Sequence, residues 1–294
     1  MTPREQHLAT RRAAGLFDFS FMGLFEFRGT AELERLQSRD LSHIEPGRAA
    51  YTLLLNEDGS VFNDATVWNM GKDRWWLFSG RPSDIAWLGA APRDRSGEHA
   101  ILALQGPDSG RILTRLIGAD TVRGLRYFRF VEHADMLIAR LGYSGELGYE
   151  LIVARAEEAS LRAYFSDVPA CSFEAANSLR IEAGYVLFGR EIDGRANPRE
   201  LGLERLVSDR RTFDLSRKLI GLEIGTARSA ADLPLAHATS ECDSPTLGKR
   251  IALGFATRDA RVGDSVSLHD GRLARIAGLT FYDPDHLRPR APPL

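Results

Sequence analysis

The sequence predicts an α+β protein whose last quarter is built only of strands. Three observations carry this. Up to residue 217 short alternating or apolar runs of strand type are interleaved with short helical stretches. From Lys218 onward only strand-like runs recur, at Leu219 to Ile224, Ile251 to Ala256, Ser265 to Leu268 and Leu273 to Ile276. At 294 residues the chain is long enough for two or three subdomains. The expected division is residues 1–217, with a second subdomain at roughly 46–124, followed by 218–294 as a small β-barrel or jelly roll.

In chain order, the first twelve residues read as a surface helix leading into the fold, since they lack the apolar core of a signal peptide. Gly15 to Gly29 alternates and carries Phe17, Phe19, Phe21, Phe25 and Phe27, which predicts a buried strand pair bent at Met22-Gly23. Ala31 to Gln37 is a short helix. Tyr51 to Leu55 and Val61 to Trp68 form a hairpin whose tight turn Asp58-Gly59 supplies. Trp75 to Ser79 follows as a third strand, then a short helix from Pro82 to Leu88 and a polar loop from Ala91 to His99. Ala100 to Leu104 is a strand running into Gln105-Gly106-Pro107, with Asp108 or Ser109 capping a helix to Ile117. Arg126 to Glu132 and Met136 to Leu141 are strands. Ser172 caps a helix through Ala183 with Ala176, Leu179 and Ala183 on its core face.

Composition excludes several classes. Apolar content of 44% and charged content of 27% describe an ordinary globular chain. A net charge of −2 gives no pull toward nucleic acid or anionic membrane. No apolar run approaches bilayer-spanning length. Cys171 and Cys242 match no metal or redox spacing and read as reduced thiols of a cytoplasmic protein. The histidines are scattered without metal spacing, and there is no Walker loop, no G-x-G-x-x-G and no nucleophile elbow. No metal site is expected.

Two carboxylates stand out. Asp64 lies in Val61-Phe62-Asn63-Asp64-Ala65-Thr66-Val67-Trp68, and Glu150 in Gly148-Tyr149-Glu150-Leu151-Ile152-Val153. Both runs read as buried strands. In the second, Tyr149, Leu151 and Val153 point one way, Glu150 and Ile152 the other, and both faces carry apolar groups. A buried carboxylate is costly unless paired or hydrogen-bonded. Two of them suggest a ligand with donors, or a positive charge that develops during a reaction. The plainer readings are that Asp64 ends a strand by bonding backbone and that Glu150 pairs Arg180 as a structural salt bridge.

A series of segments in fixed order then carries a resemblance. They are Ala14-Gly15-Leu16-Phe17-Asp18, Phe21-Met22-Gly23, Tyr51-Thr52-Leu53-Leu54-Leu55-Asn56-Glu57-Asp58-Gly59, Asn63-Asp64-Ala65-Thr66-Val67 and Leu104-Gln105-Gly106-Pro107. Gly142-Tyr143-Ser144-Gly145-Glu146-Leu147-Gly148-Tyr149-Glu150, Ser178-Leu179-Arg180-Ile181-Glu182-Ala183-Gly184 and Ser244-Pro245-Thr246-Leu247-Gly248-Lys249 follow. Together they resemble the folate-dependent aminomethyltransferase family. That family includes the T-protein of the glycine cleavage system, the folate domains of dimethylglycine and sarcosine dehydrogenases, and folate-dependent demethylases. The resemblance implies an aminomethyltransferase-like fold of three subdomains with a C-terminal β-barrel, and tetrahydrofolate as cofactor. It matches Asp64 to the catalytic aspartate and Glu150 to the glutamate that holds the pterin ring. Tyr51, Met22 and Tyr143 match pocket-lining positions, and Arg180 an arginine reaching the folate site. Trp68, on the Asp64 face, lines the pocket or fills the core. A carboxylate accepting a ring N–H and an exocyclic amine makes a charge-assisted pair worth roughly 1.5–3 kcal/mol per bond.

The chain also departs from the pattern. The aromatic and glycine-rich stretch that usually precedes Ala14-Gly15 is absent, Phe21 stands where a histidine is common, and Phe188 where a tyrosine is. Ser79-Gly80-Arg81 replaces the segment with the usual asparagine, and Asn63 stands where the T-protein usually has a second aspartate. The end, Thr280-Phe281-Tyr282-Asp283-Pro284 with Arg288 and Arg290, resembles the sarcosine and dimethylglycine branch. No cysteine occurs between Tyr185 and Glu191, where the iron–sulfur assembly branch has one. The expectation is a folate-dependent one-carbon transferase or demethylase acting on a small methylated or aminomethyl donor. The alternatives are a T-protein served by a lipoyl carrier protein and a non-catalytic folate-binding subunit of a separate oxidoreductase.

Overall fold

The Gly15 to Gly29 stretch divides between two sheets. The computed structural model describes residues 1–209, 211–228 and 233–294. In it the strands Gly15–Asp18 and Gly23–Arg28 do not pair with each other, contrary to expectation. The first pairs antiparallel with His99–Gln105 and parallel with Ala170–Cys171. The second pairs with Arg74–Ser79 and with the two-residue strand Arg93–Asp94. The chain turns between them, where Met22 donates its N–H to the Phe19 carbonyl at 3.0 Å. Phe21 sits in that turn, 44% exposed, rather than in the core.

The first sheet has six strands, in the order Ala170–Cys171, Gly15–Asp18, His99–Gln105, Gly148–Ala154, Met136–Ala139, Phe130–His133. The Gly148–Ala154 strand is central, with Ala103 and Ala139 opposite Glu150. Its alternation sorts as the sequence predicts. Tyr149, Leu151 and Val153 pack outward with Leu113 and Ile117 of the Ser109–Ile117 helix and Leu161 of the Glu158–Tyr164 helix. Ile152 faces an inner core with Ile101, Ala103 and Ala139, which puts Glu150 on that inner face.

The second sheet has five strands, in the order Arg48–Leu55, Val61–Gly71, Arg74–Ser79, Gly23–Arg28, Arg93–Asp94. Leu24, Trp68, Trp76 and Phe78 from it, and Ala175, Ala176 and Leu179 from the helix Phe173–Glu182, complete the inner core. That helix starts where expected, with the Ser172 hydroxyl accepting from the Ala175 N–H at 3.3 Å. The Asp58-Gly59 turn also forms, with Gly59 at φ +84. In the third sheet Arg217–Arg228, Lys249–Thr257, Leu235–Ser244, Ser265–Leu268 and Arg272–Ala277 pair in that order, and the last pairs again with the first.

Several elements differ from expectation. Asp108 occupies the N-cap position of its helix, as one of the two expected candidates, but makes no side-chain capping bond, because its carboxylate pairs with Arg111 at 3.0 Å; the Ser109 hydroxyl donates to the Leu147 carbonyl at 3.2 Å. The strand expected from Arg126 begins only at Phe130, since Phe128 takes a left-handed φ of 59 in a turn. The helices Ala119–Gly124 and Glu158–Tyr164 and the strand Leu235–Ser244 have sequences too polar or too short to announce themselves.

A buried polar network joins the N-terminal helix Pro3–Arg12, the Phe173–Glu182 helix and the strand ring. Glu182 accepts from Arg11 Nη2 at 2.9 Å and contacts His7 Nε2 at 3.2 Å and the Ser244 hydroxyl at 2.5 Å. Arg11 continues to Glu146 at 3.1 Å, whose other oxygen meets Arg288 of the C-terminal segment at 3.3 Å.

Candidate active site

Asp64 sits just past an irregularity in its hairpin. Leu54 is opposite Asn63 but Leu55 is opposite Val61, leaving Phe62 as the extra residue. Such a bulge re-aims the side chains that follow it. The Asp64 carboxylate accepts the Tyr51 hydroxyl at 2.9 Å, a diagonal contact, since Tyr51 itself lies opposite Thr66. Burial raises the Asp64 carboxyl to about 6, and the nearby Asp84 charge adds to this, while the Tyr51 hydroxyl, its own backbone and Arg180 pull the other way. Burial, then the Asp64 charge, pushes the Tyr51 phenol well above its ordinary value. Tyr51 is therefore a steady donor to a carboxylate that titrates near neutrality.

Glu150 is different in kind. It is buried on the inner face, and burial alone raises its carboxyl to about 7. Among the described residues no donor and no cation meets its carboxylate. The plainer reading, a Glu150–Arg180 salt bridge, is overturned. Arg180 pairs with Glu191 at 2.7 Å and also donates to Asn177 at 3.0 Å, Ser240 at 2.6 Å and the Tyr185 carbonyl at 3.0 Å. Those partners use the guanidinium on both edges, so its link to Asp64 is electrostatic only.

The other expected residues fall in two groups. Tyr143 and Met22 border the inner core; the Tyr143 hydroxyl donates to the Val186 carbonyl at 2.5 Å and its ring stacks on Tyr185 with centroids 5.9 Å apart. Trp68 is wholly buried. Its ring packs between Phe78 and Phe130, with centroids 4.8 and 5.0 Å away, and its N–H donates to Thr66 at 2.8 Å. Of the two readings for Trp68, this is the core one.

A cavity of about 670 Å³ lies elsewhere, between the Phe173–Glu182 helix and the strand ring. Asn177, Arg180, Arg190, His237, Ser240 and His269 help line it, and neither Asp64 nor Glu150 does. Arg180 is the residue common to it and to the Asp64 surroundings. Glu150 marks the candidate active site more firmly than the cavity does, because an unpaired buried acid needs a partner and an open groove does not.

Sequence reasoning missed Asp84, Glu191 and Tyr185. Asp84 is almost wholly buried and accepts from Asn63 at 2.6 Å and Arg81 at 2.7 Å. Glu191 also accepts from the Thr239 hydroxyl at 2.6 Å, which ties Arg180 to the strand ring. Each lies in a polar loop or helix start with no periodicity to flag it. The signal available was type alone: Asp84 three residues after Arg81, and Glu191 next to the apolar Ile192.

Strands of two sheets, carrying Asp64 and Glu150, enclose one inner core, and the Phe173–Glu182 helix links that core to a closed ring of strands. The model of the GCVT N-terminal domain matches residues 2–211. The aminomethyltransferase of Synechococcus elongatus is 34% identical over 300 residues, covering 85% of this chain and 79% of that protein. The aminomethyltransferase of Bacillus subtilis is 33% identical over 330 residues, covering 95% and 90%. The crystal structure of the glycine cleavage system aminomethyltransferase T from Bartonella henselae superposes with a TM-score of 0.84 at 24% identity, covering 96% of this chain and 90% of that one. The chain belongs to the aminomethyltransferase family.

Proposed function

We infer that this protein is a tetrahydrofolate-dependent aminomethyltransferase that takes its one-carbon unit from a lipoyl carrier protein. The observation that carries the reading is Glu150, a buried carboxylate with no partner among the described residues. The family and its relatives named aminomethyltransferase favour the carrier-linked reaction over the small methylated donor expected from the departures at Phe21, Asn63 and Phe188.

The residues present fit a folate. Glu150 lacks a donor, and a pterin offers an adjacent ring N–H and amine. Tyr143 and Met22 border the same interior and offer apolar surface to a flat ring. When bound, tetrahydrofolate supplies the nitrogens that accept the one-carbon unit. Glu150 orients the ring by accepting its donors, which stabilises the ionised carboxylate. Asp64, ionised above about pH 6, holds negative charge where positive charge develops and takes or returns a proton at its carboxylate. Tyr51 keeps that carboxylate in one orientation.

The test is a glycine cleavage reaction reconstituted with this chain and the aminomethyl-loaded lipoyl carrier, run beside a panel of small methyl donors. Turnover with the carrier supports the reading. Turnover with a small donor alone would restore the demethylase expectation, and folate binding without any turnover would point to a non-catalytic folate-binding subunit.

A further inference from the structure

We propose that Asp84 is a positioning residue for Asp64, acting on it both by its charge and through the Asn63 amide, with Arg81 balancing that charge from the solvent side. The proposal rests on the reading of Asp64 as the proton-transferring group. Asp84 and Asn63 are both buried. Asn63 Nδ2 donates to Asp84 Oδ2 at 2.6 Å, and Asn63 Oδ1 accepts the backbone N–H of Asp64 at 2.9 Å. Both ends of the amide are committed, so it has one orientation. Asp84 Oδ1 accepts from Arg81 Nε at 2.7 Å. The relay thus runs from a half-exposed guanidinium through two buried side chains to the bulged strand that aims Asp64.

Three of the departures from the family pattern, at Asn63, Ser79-Gly80-Arg81 and Phe188, fall on or against this relay. Asparagine at 63 can donate to Asp84 and accept from Asp64. An aspartate there would set two carboxylates 2.6 Å apart, a pair that has to share a proton. The Arg81 guanidinium lies 5.4 Å from the Phe188 ring centroid and 6.0 Å from that of Phe62. Gly80 makes that approach possible, since a Cβ there would lie 2.3 Å from Phe188 Cδ1. The other charged or titratable groups around Asp64 are Tyr51 on the neighbouring strand, Tyr143, Arg180 on the Phe173–Glu182 helix with its partner Glu191, and Tyr185 beside Tyr51. Asp84 is the carboxylate whose charge opposes ionisation of Asp64, against the pull of Arg180.

The experiment is a carboxyl-carbon NMR titration of the whole, folate-free protein, with the Asp64 signal assigned by its loss in Asp64→Asn. In Asp84→Asn the Asp64 midpoint should fall by roughly half a pH unit or more, because a like charge is removed. In Arg81→Gln, which leaves the Asn63–Asp84 bond in place, the midpoint should rise. An unchanged midpoint in either folded variant overturns the proposal. If Asp84→Asn does not fold, Arg81→Gln decides alone, since its guanidinium is half-exposed and its removal opens no core cavity. These midpoints need no substrate. Full activity of Asp64→Asn would refute the catalytic reading while leaving the relay measured.

Discussion

At Asp64 and Glu150 the fold keeps two carboxyls from ionising readily, and each has its own consequence. Asp64→Asn should leave folding and folate binding largely intact and lower turnover by a factor on the order of 10² or more, the usual loss when one preorganised group at a developing charge is removed. Single-turnover kinetics beside a denaturation curve check this; an unfolded or fully active variant would contradict it. Glu150 carries a pH prediction. Its folded-state value, about 7, is raised above the ordinary 4.5. Stability of the ligand-free protein from this group is therefore complete below about pH 4.5 and is lost as pH rises through about 7. Glu150→Gln removes that penalty, so the ligand-free variant should melt higher than the parent at pH 8. It should also bind tetrahydrofolate at least ten-fold more weakly, for loss of charge-assisted bonds worth about 1.5–3 kcal/mol each. A lower melting point for ligand-free Glu150→Gln would mean that the carboxylate already has a partner.

Among the elements, the Phe173–Glu182 helix links the inner core to the strand ring and to the N-terminal helix. Its apolar face closes the inner core, Arg180 reaches Glu191 and Ser240, and Glu182 gathers Arg11, His7 and Ser244. Burial would raise the Glu182 carboxyl, but the His7 contact and the Arg11 charge outweigh it and hold it down at about 2. A depressed carboxylate contributes stability that is present above about pH 4.5 and lost as pH falls through about 2. Glu182→Gln should therefore destabilise the fold at neutral pH by at most roughly 3–5 kcal/mol, because it leaves buried Arg11 with Glu146 as its one remaining carboxylate. Urea unfolding at pH 7 and again near pH 2.5 measures both parts; a neutral effect at pH 7 would show that the network adds little.

At the scale of the whole molecule, two sheets contribute to one inner core, and the ring of strands packs against both the Phe173–Glu182 helix and the hairpin that carries Asp64. A ligand that bridges Glu150 and Asp64 would touch both sheets, so its binding should stabilise them together. At about 100 times its dissociation constant, tetrahydrofolate should add about 2.7 kcal/mol to unfolding stability. A thermal scan reads this directly, and no shift at millimolar ligand would remove folate from the account. The effect should weaken below about pH 7, where Glu150 takes up a proton that binding must displace.

Much of this was legible in residues alone. Alternation in Gly148–Ala154 set Glu150 and Ile152 on one face, Asp58-Gly59 marked its turn, and Ser172 capped its helix, because these are local rules that the chain obeys residue by residue. The two carboxylates stood out for the same reason: charge in an apolar run is visible without a fold. What only the tertiary structure decided was partnership. Gly15–Asp18 and Gly23–Arg28 look like one hairpin, yet each finds better neighbours in a different sheet. Arg180 could have paired with Glu150, but Glu191, eleven residues on, reaches it first and leaves Glu150 alone. The link from Asp84 to Asp64 crosses 20 positions of sequence through Asn63. Burial, and the choice among several possible partners for a buried charge, depend on what long-range packing brings near, and no local pattern encodes that.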